Sequence, residues 1–142
     1  MSDQTLAGKR VLVLGGETAL GRAIAVGLAE RGADVAIASL TRDTKAEFAI
    51  NSALNELWAM NRKGVALAID ASDGGQLRDA VARAEGELGA LDLGVAVEGD
   101  VALDGLEGRE MMEVVVVAAD GDAGEAVREV VDRLVGDGRG QS

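Results

Sequence analysis

The stretch Arg10-Val-Leu-Val-Leu-Gly-Gly-Glu-Thr-Ala-Leu-Gly21 changes its character halfway along. Val11 to Leu14 is a short, wholly apolar run, the pattern of a strand buried on both faces. It stops at Gly15-Gly16, where the chain is free to turn sharply. From Ala19 to Arg31 the apolar positions Leu20, Ile24, Gly27 and Leu28 recur at helical spacing, and Gly32 supplies the helix stop. Strand, glycine turn and helix therefore follow one another within about two dozen residues.

Working outward, the same alternation repeats. Val35 to Ser39 reads as a second strand. Thr44 and Glu47 have capping-box spacing and open a helix reaching about Arg62, with Ala46, Ile50, Ala53, Leu54 and Leu57 inward and Gly64 as its stop. Val65 to Ile69 is a third strand. Asp73 and Gln76 have cap spacing before a helix that turns Leu77, Val81, Ala84 and Leu88 inward. Leu91 to Val97 is a fourth strand, and the valines within Glu113 to Ala118 favour a fifth. Asp122 and Glu125 begin a last helix with Val127, Val130, Val131 and Leu134 inward, and residues after Gly136 read as a frayed tail. Gly99 to Met112 is the one irregular piece, a loop with at most a short helix.

Strands alternating with helices require right-handed crossovers. The expected fold is a single α/β domain over residues 1–136, a Rossmann-type doubly wound parallel sheet of about five strands with helices on both faces, and a flexible tail over 137–142. In such a fold the turn from Gly15 to Gly21 is placed to hold a pyrophosphate, because the amides and dipole of the following helix face the anion.

The stretch Ala7 to Ser39 closely resembles the opening of the short-chain dehydrogenases/reductases. The family's turn is Gly-x-x-x-Gly-x-Gly; Gly15, Ala19 and Gly21 occupy its glycine places, the middle one now alanine. The resemblance continues through Ala68-Ile-Asp70-Ala-Ser-Asp73 and Leu91-Asp92 into the fourth strand. It implies a cofactor, NADP or NAD, held by Gly15, Gly16, Thr18, Ala19, Leu20, Gly21, Ser39, Arg42, Asp70 and Ala71. Asp70 would contact the adenine. Ser39 stands where an NAD-preferring member has an acidic ribose ligand; the nearby Arg42 and Lys45 either meet a 2′-phosphate, which tilts the expectation toward NADP, or are simply exposed charges at a helix entry.

Composition removes much chemistry. The sequence has no Cys, His or Tyr, which excludes disulfides, thiolate nucleophiles and histidine ligands or bases. A net charge of −11 argues against a nucleic-acid partner. Asp120, Asp122 and Glu125 read as helix-capping acids, and Asp100, Asp104, Glu107 and Glu110 as a solvated acidic loop, so no metal site is expected. Met1 to Arg10 has no apolar core of a signal peptide, and Val114 to Ala119 is too short to span a bilayer. A soluble, cytoplasmic protein is the expectation.

The resemblance also fails in places. The family's Asn-Asn-Ala-Gly matches Ala96-Val-Glu-Gly99 only at the glycine. Its catalytic Tyr and Lys have no counterparts: the sequence lacks Tyr and has no Lys after Lys63. With Glu113 to Ala118 as the fifth strand, the catalytic Ser falls near Ala118 and Ala119. A second alignment takes Val114 to Leu134 as the family's long helix before that strand; Gly121 and Gly124 oppose it. In either case no catalytic residue is expected. Ala19 adds a methyl where a pyrophosphate approaches, and Glu17 opposes an anion unless it points away. Two functions stay open: a domain that binds NAD(P), or a non-catalytic structural or regulatory subunit that binds no nucleotide. Phe48 and Trp58, the sole Phe and Trp, read as core residues of the second helix or as one subunit contact. A homo-oligomer or pairing with a related subunit is expected, because segments missing relative to the family would leave sheet edges or helix faces uncovered.

Overall fold

The computed structural model describes residues 5–102 and 113–140. Its elements run β1 (Arg10–Leu14), α1 (Ala19–Glu30), β2 (Asp34–Ala38), α2 (Thr44–Ala59), β3 (Gly64–Leu67), α3 (Gly74–Leu88), β4 (Leu93–Val97), β5 (Glu113–Val117) and α4 (Ala123–Gly140). The strands form one 5-stranded sheet in the order β3-β2-β1-β4-β5, with every neighbouring pair parallel. This is the expected doubly wound α/β fold.

Alternation along β1 explains the two layers. Val11 and Val13 enter one core with Ile24, Leu28, Ile37, Ile50, Leu57, Val95, Val127 and Val130, so α1, α2 and α4 cover that face. Leu12 and Leu14 enter the other core with Leu67, Leu77, Val81, Ala84 and Leu88, which α3 covers. Successive strand residues point to opposite faces, and β1 is buried on both.

The helix ends follow local chemistry. Arg31 caps α1, and Gly32 takes the left-handed conformation at φ +100°. The Gly32 amide then donates to the Ala29 carbonyl and the Ala33 amide to that of Leu28, the paired bonds of a Schellman stop. Asp43 caps α2 by accepting from the Ala46 amide at 2.8 Å, so the cap lies one residue before the expected Thr44. At the other end α2 stops at Ala59, short of Arg62. Asn61, not Gly64, takes the left-handed turn, at φ +65°, and Gly64 opens β3. Asp122 accepts from the Glu125 amide at 2.9 Å, as a capping acid should.

Three further expectations change. β3 ends at Leu67 instead of Ile69, because the Ile69 amide bonds the Ser39 hydroxyl in place of a strand partner. The final helix continues past Gly136 to Gly140, since a glycine costs a helix only about 1 kcal/mol. Phe48 and Trp58 are not core residues: they lie 74% and 55% exposed on the outer side of α2, because Ala46, Ile50, Ala53, Leu54 and Leu57 fill its buried face. Most of the stretch Gly99–Met112, expected as a loop and containing Asp104, Glu107 and Glu110, lies outside the described residues.

Candidate functional site

The sheet order places the topological switch between β1 and β4, and the crevice opens at their carboxyl ends. Gly15 ends one side of it and Val97 the other. A Cβ on Gly15, whose φ is +100°, would come within 2.9 Å of the Val97 Cβ. On Gly16 it would fall 2.1 Å from Ile37 Cγ2, and on Gly21 it would fall 2.0 Å from the Gly15 carbonyl oxygen. All three glycines are therefore required by space: two let β1 turn against its neighbours, and the third lets α1 begin directly over the turn.

Thr18 locks this arrangement. Its hydroxyl donates to the Gly15 carbonyl at 2.7 Å and accepts from the Gly21 amide at 2.9 Å. Ala19 and Leu20 begin α1 with amides that have no intrahelical acceptor, as in the first turn of any helix. Those amides and the positive end of the helix dipole are the groups an anion would meet. The methyl of Ala19 is exposed and meets no crowding from the protein itself.

Gly15, Gly16, Thr18, Ala19, Leu20 and Gly21 are thus brought together in one rigid turn. The remaining expected residues lie at the ends of β2 and β3 and are engaged within the protein. Ser39 is fully buried; its hydroxyl donates to the Ile69 carbonyl at 3.0 Å and accepts from the Ile69 amide at 2.9 Å, so it does not reach the crevice. Arg42 is exposed and donates to the Gln76 side-chain oxygen at 3.3 Å, which draws it toward α3. The Asp70 carboxylate accepts from the amide and hydroxyl of Ser72. The Ala71 amide donates to the Leu40 carbonyl at 2.9 Å.

Two contributors stand outside the expected set. Glu17 points neither into the phosphate turn nor into open solvent. Its carboxylate accepts from the Leu40 amide at 3.0 and 2.9 Å and from the Thr41 amide at 3.3 Å. Leu40 itself leans over the crevice: its side chain lies 3.5 Å from the place of a Cβ on Gly15 and 3.2 Å from that on Gly99. Only the β1–β2 pairing brings Glu17 beside Leu40, so no local sequence signal marks the contact. Among the described residues no group of three or more His, Cys, Asp or Glu is placed to hold a metal ion. Nor is any helix among them long and apolar enough to cross a membrane.

Fold and turn together define a Rossmann-like, doubly wound α/β domain. A family model described as short chain dehydrogenase matches residues 9–140, and the chain belongs to that family. Over 94 residues it is 38% identical to L-rhamnose 1-dehydrogenase (NAD(P)(+)) of Sphingomonas sp. strain SKA58, covering 66% of this chain and 35% of that protein. Carveol dehydrogenase from Mycobacterium avium, solved in complex with NAD, superposes with a TM-score of 0.63 at 26% identity, covering 68% of this chain and 38% of that one. A blue fluorescent protein from a metagenomic library, solved with NADPH, gives a TM-score of 0.61 at 35% identity, covering 65% of this chain and 36% of the other. The chain spans little more than a third of the length of each of these relatives.

Proposed function

We propose that this chain is a dinucleotide-binding domain of the short-chain dehydrogenase family that holds NAD(P) without the family's catalytic Ser, Tyr and Lys. The observation that carries the reading is the turn from Gly15 to Gly21. It sits at the switch point, and a side chain on Gly21 would strike the Gly15 carbonyl. Gly15, Gly16, Thr18, Ala19, Leu20 and Gly21 would hold the pyrophosphate through backbone amides, and Asp70 and Ala71 would border the adenine. A bound nicotinamide dinucleotide supplies the hydride, and the protein supplies its position and electrostatic setting. These 142 residues contain no Tyr to supply a phenolic proton. Calorimetric titration with NADH and NADPH tests the reading. Binding at micromolar to low millimolar concentration is expected, and no heat with either would end it.

A second reading, a structural or regulatory subunit that binds no nucleotide, is favoured by Leu40. Its carbonyl takes the Ala71 amide, and its side chain lies against Gly15 and Gly99 at the crevice mouth. The same titration separates the two. In either case we propose a cytoplasmic protein that pairs with a second copy or a related chain, since Phe48, Trp58 and Val116 are all more than half exposed. Sedimentation over a range of concentrations tests the pairing, and a monomer throughout would refute it.

A further inference from the structure

We infer that Glu17 sets the choice of dinucleotide: its carboxylate receives an adenosine ribose hydroxyl of NAD and excludes the 2′-phosphate of NADP. This deepens the dinucleotide reading above and rests on it.

With the pyrophosphate over the β1–α1 turn, the adenosine ribose falls at the carboxyl end of β2. At that place an acid accepts the 2′-hydroxyl, or an arginine receives a 2′-phosphate. Neither expected group does so here. Ser39 is buried with its hydroxyl bonded twice to Ile69. The Arg42 guanidinium, part of the basis for expecting NADP, is drawn to Gln76 on α3.

Glu17 reaches the same place from the other side. The successive amides of Leu40 and Thr41 form the kind of backbone concavity that takes an anion. The Glu17 carboxylate already fills it, with one oxygen accepting from Leu40 and the other from both Leu40 and Thr41. A carboxylate has about four acceptor positions, so these contacts leave one on the oxygen bonded only to Leu40. A ribose hydroxyl has a proton to donate there. A phosphate dianion has none, and it would meet a like charge at close range. The neighbouring cavity, about 180 Å³, is lined by Glu17, Thr41, Asp43, Lys45, Ala46 and Ala49. Two carboxylates against one ammonium leave that space negative, so Lys45 does not reverse the preference.

The test compares the whole chain with Glu17→Gln and Glu17→Ala. Calorimetry with NAD and NADP should show the unaltered chain preferring NAD by about tenfold or more, and both variants losing most of that preference. Equal affinities in the unaltered chain, or an undiminished preference in both variants, overturns the inference. A second measurement needs no dinucleotide. In amide proton–nitrogen correlation spectra, inorganic phosphate should move the Leu40 and Thr41 signals saturably in Glu17→Ala and leave them still in the unaltered chain. Equal movement in both proteins, or none in the variant, shows that Glu17 does not hold the anion seat. If no chain binds either dinucleotide, the domain reading fails and takes the ribose contact with it. The phosphate titration still decides the anion seat separately.

Discussion

Gly21 and Gly15 are locked by space: a Cβ on Gly21 would lie 2.0 Å from the Gly15 carbonyl oxygen. That oxygen is backbone and is held by both the amide and the hydroxyl of Thr18, so it cannot move aside alone.

Gly21→Ala should therefore destabilise the protein by about 3 kcal/mol, near the upper end for overpacking. Gly86 provides the control. It lies within α3 and is exposed, and a Cβ there would meet nothing within 4 Å. Gly86→Ala should stabilise by about 0.5–1 kcal/mol. Urea unfolding of the two variants should give midpoints on opposite sides of the unaltered protein; two shifts of the same sign would contradict the geometry.

Ser39 offers a second test, of structure and not of cofactor binding. Its hydroxyl closes the ladder between β2 and the chain just after β3 through both polar groups of Ile69. Ser39→Ala leaves those buried groups without a partner and should cost about 1–3 kcal/mol. Dinucleotide affinity of the folded variant should change little. A large loss of affinity with normal stability would mean that the hydroxyl meets the ligand after all.

The caps of α2 and α3 predict a dependence on pH. Donation by the Ala46 amide holds Asp43, and donation by the Gln76 and then Gly75 amides holds Asp73, below the ordinary value of 3.8. Carboxylates lowered on folding contribute stability that is fully present above their unfolded-state value and is lost as pH falls through the lower folded-state value. Asp43→Asn and Asp73→Asn should thus be less stable than the unaltered protein near neutrality. The gap should close as the medium is acidified below pH 3.8. Urea midpoints measured across this range test it, and a constant gap would show that the charge plays no part.

Trp58, 55% exposed, should emit as a solvated indole in dilute solution and be readily quenched by acrylamide. Self-association across α2 would shift the emission to shorter wavelength as concentration rises. Emission of a buried indole at the lowest concentration would contradict the placement of α2. The same exposure makes Trp58 a poor reporter for the crevice, which is why calorimetry is the better assay for nucleotide.

The repeating pattern carried the fold. Val11–Leu14, Val35–Ser39 and the valines after Glu113 needed only their apolar continuity to be read as strands, and Leu77, Val81, Ala84 and Leu88 only their spacing. The glycine turn was legible because its neighbours gave it a strand before and a helix after. The rest depended on contacts between distant residues. Glu17 meets Leu40 only because β1 and β2 pair, and Ser39 is turned inward only because Ile69 lies beside it. The exposure of Phe48 and Trp58 was hidden for a related reason. Aromatic character favours burial in general, but the buried face of α2 was already filled by smaller apolar residues.

The central strand has a consequence for synthesis. β1 bonds β2 on one edge and β4 on the other, and its pairing with the second begins where the Arg10 amide meets the Asp92 carboxylate, 82 residues away along the chain. As the polypeptide leaves the ribosome, β1, β2 and β3 can assemble early, while one side of β1 waits for Leu93–Val97 to emerge. An unpaired strand edge of this kind invites foreign strands. Pairing with β4 covers that side of β1, and the outer edge of β4 then waits in its turn for Glu113–Val117.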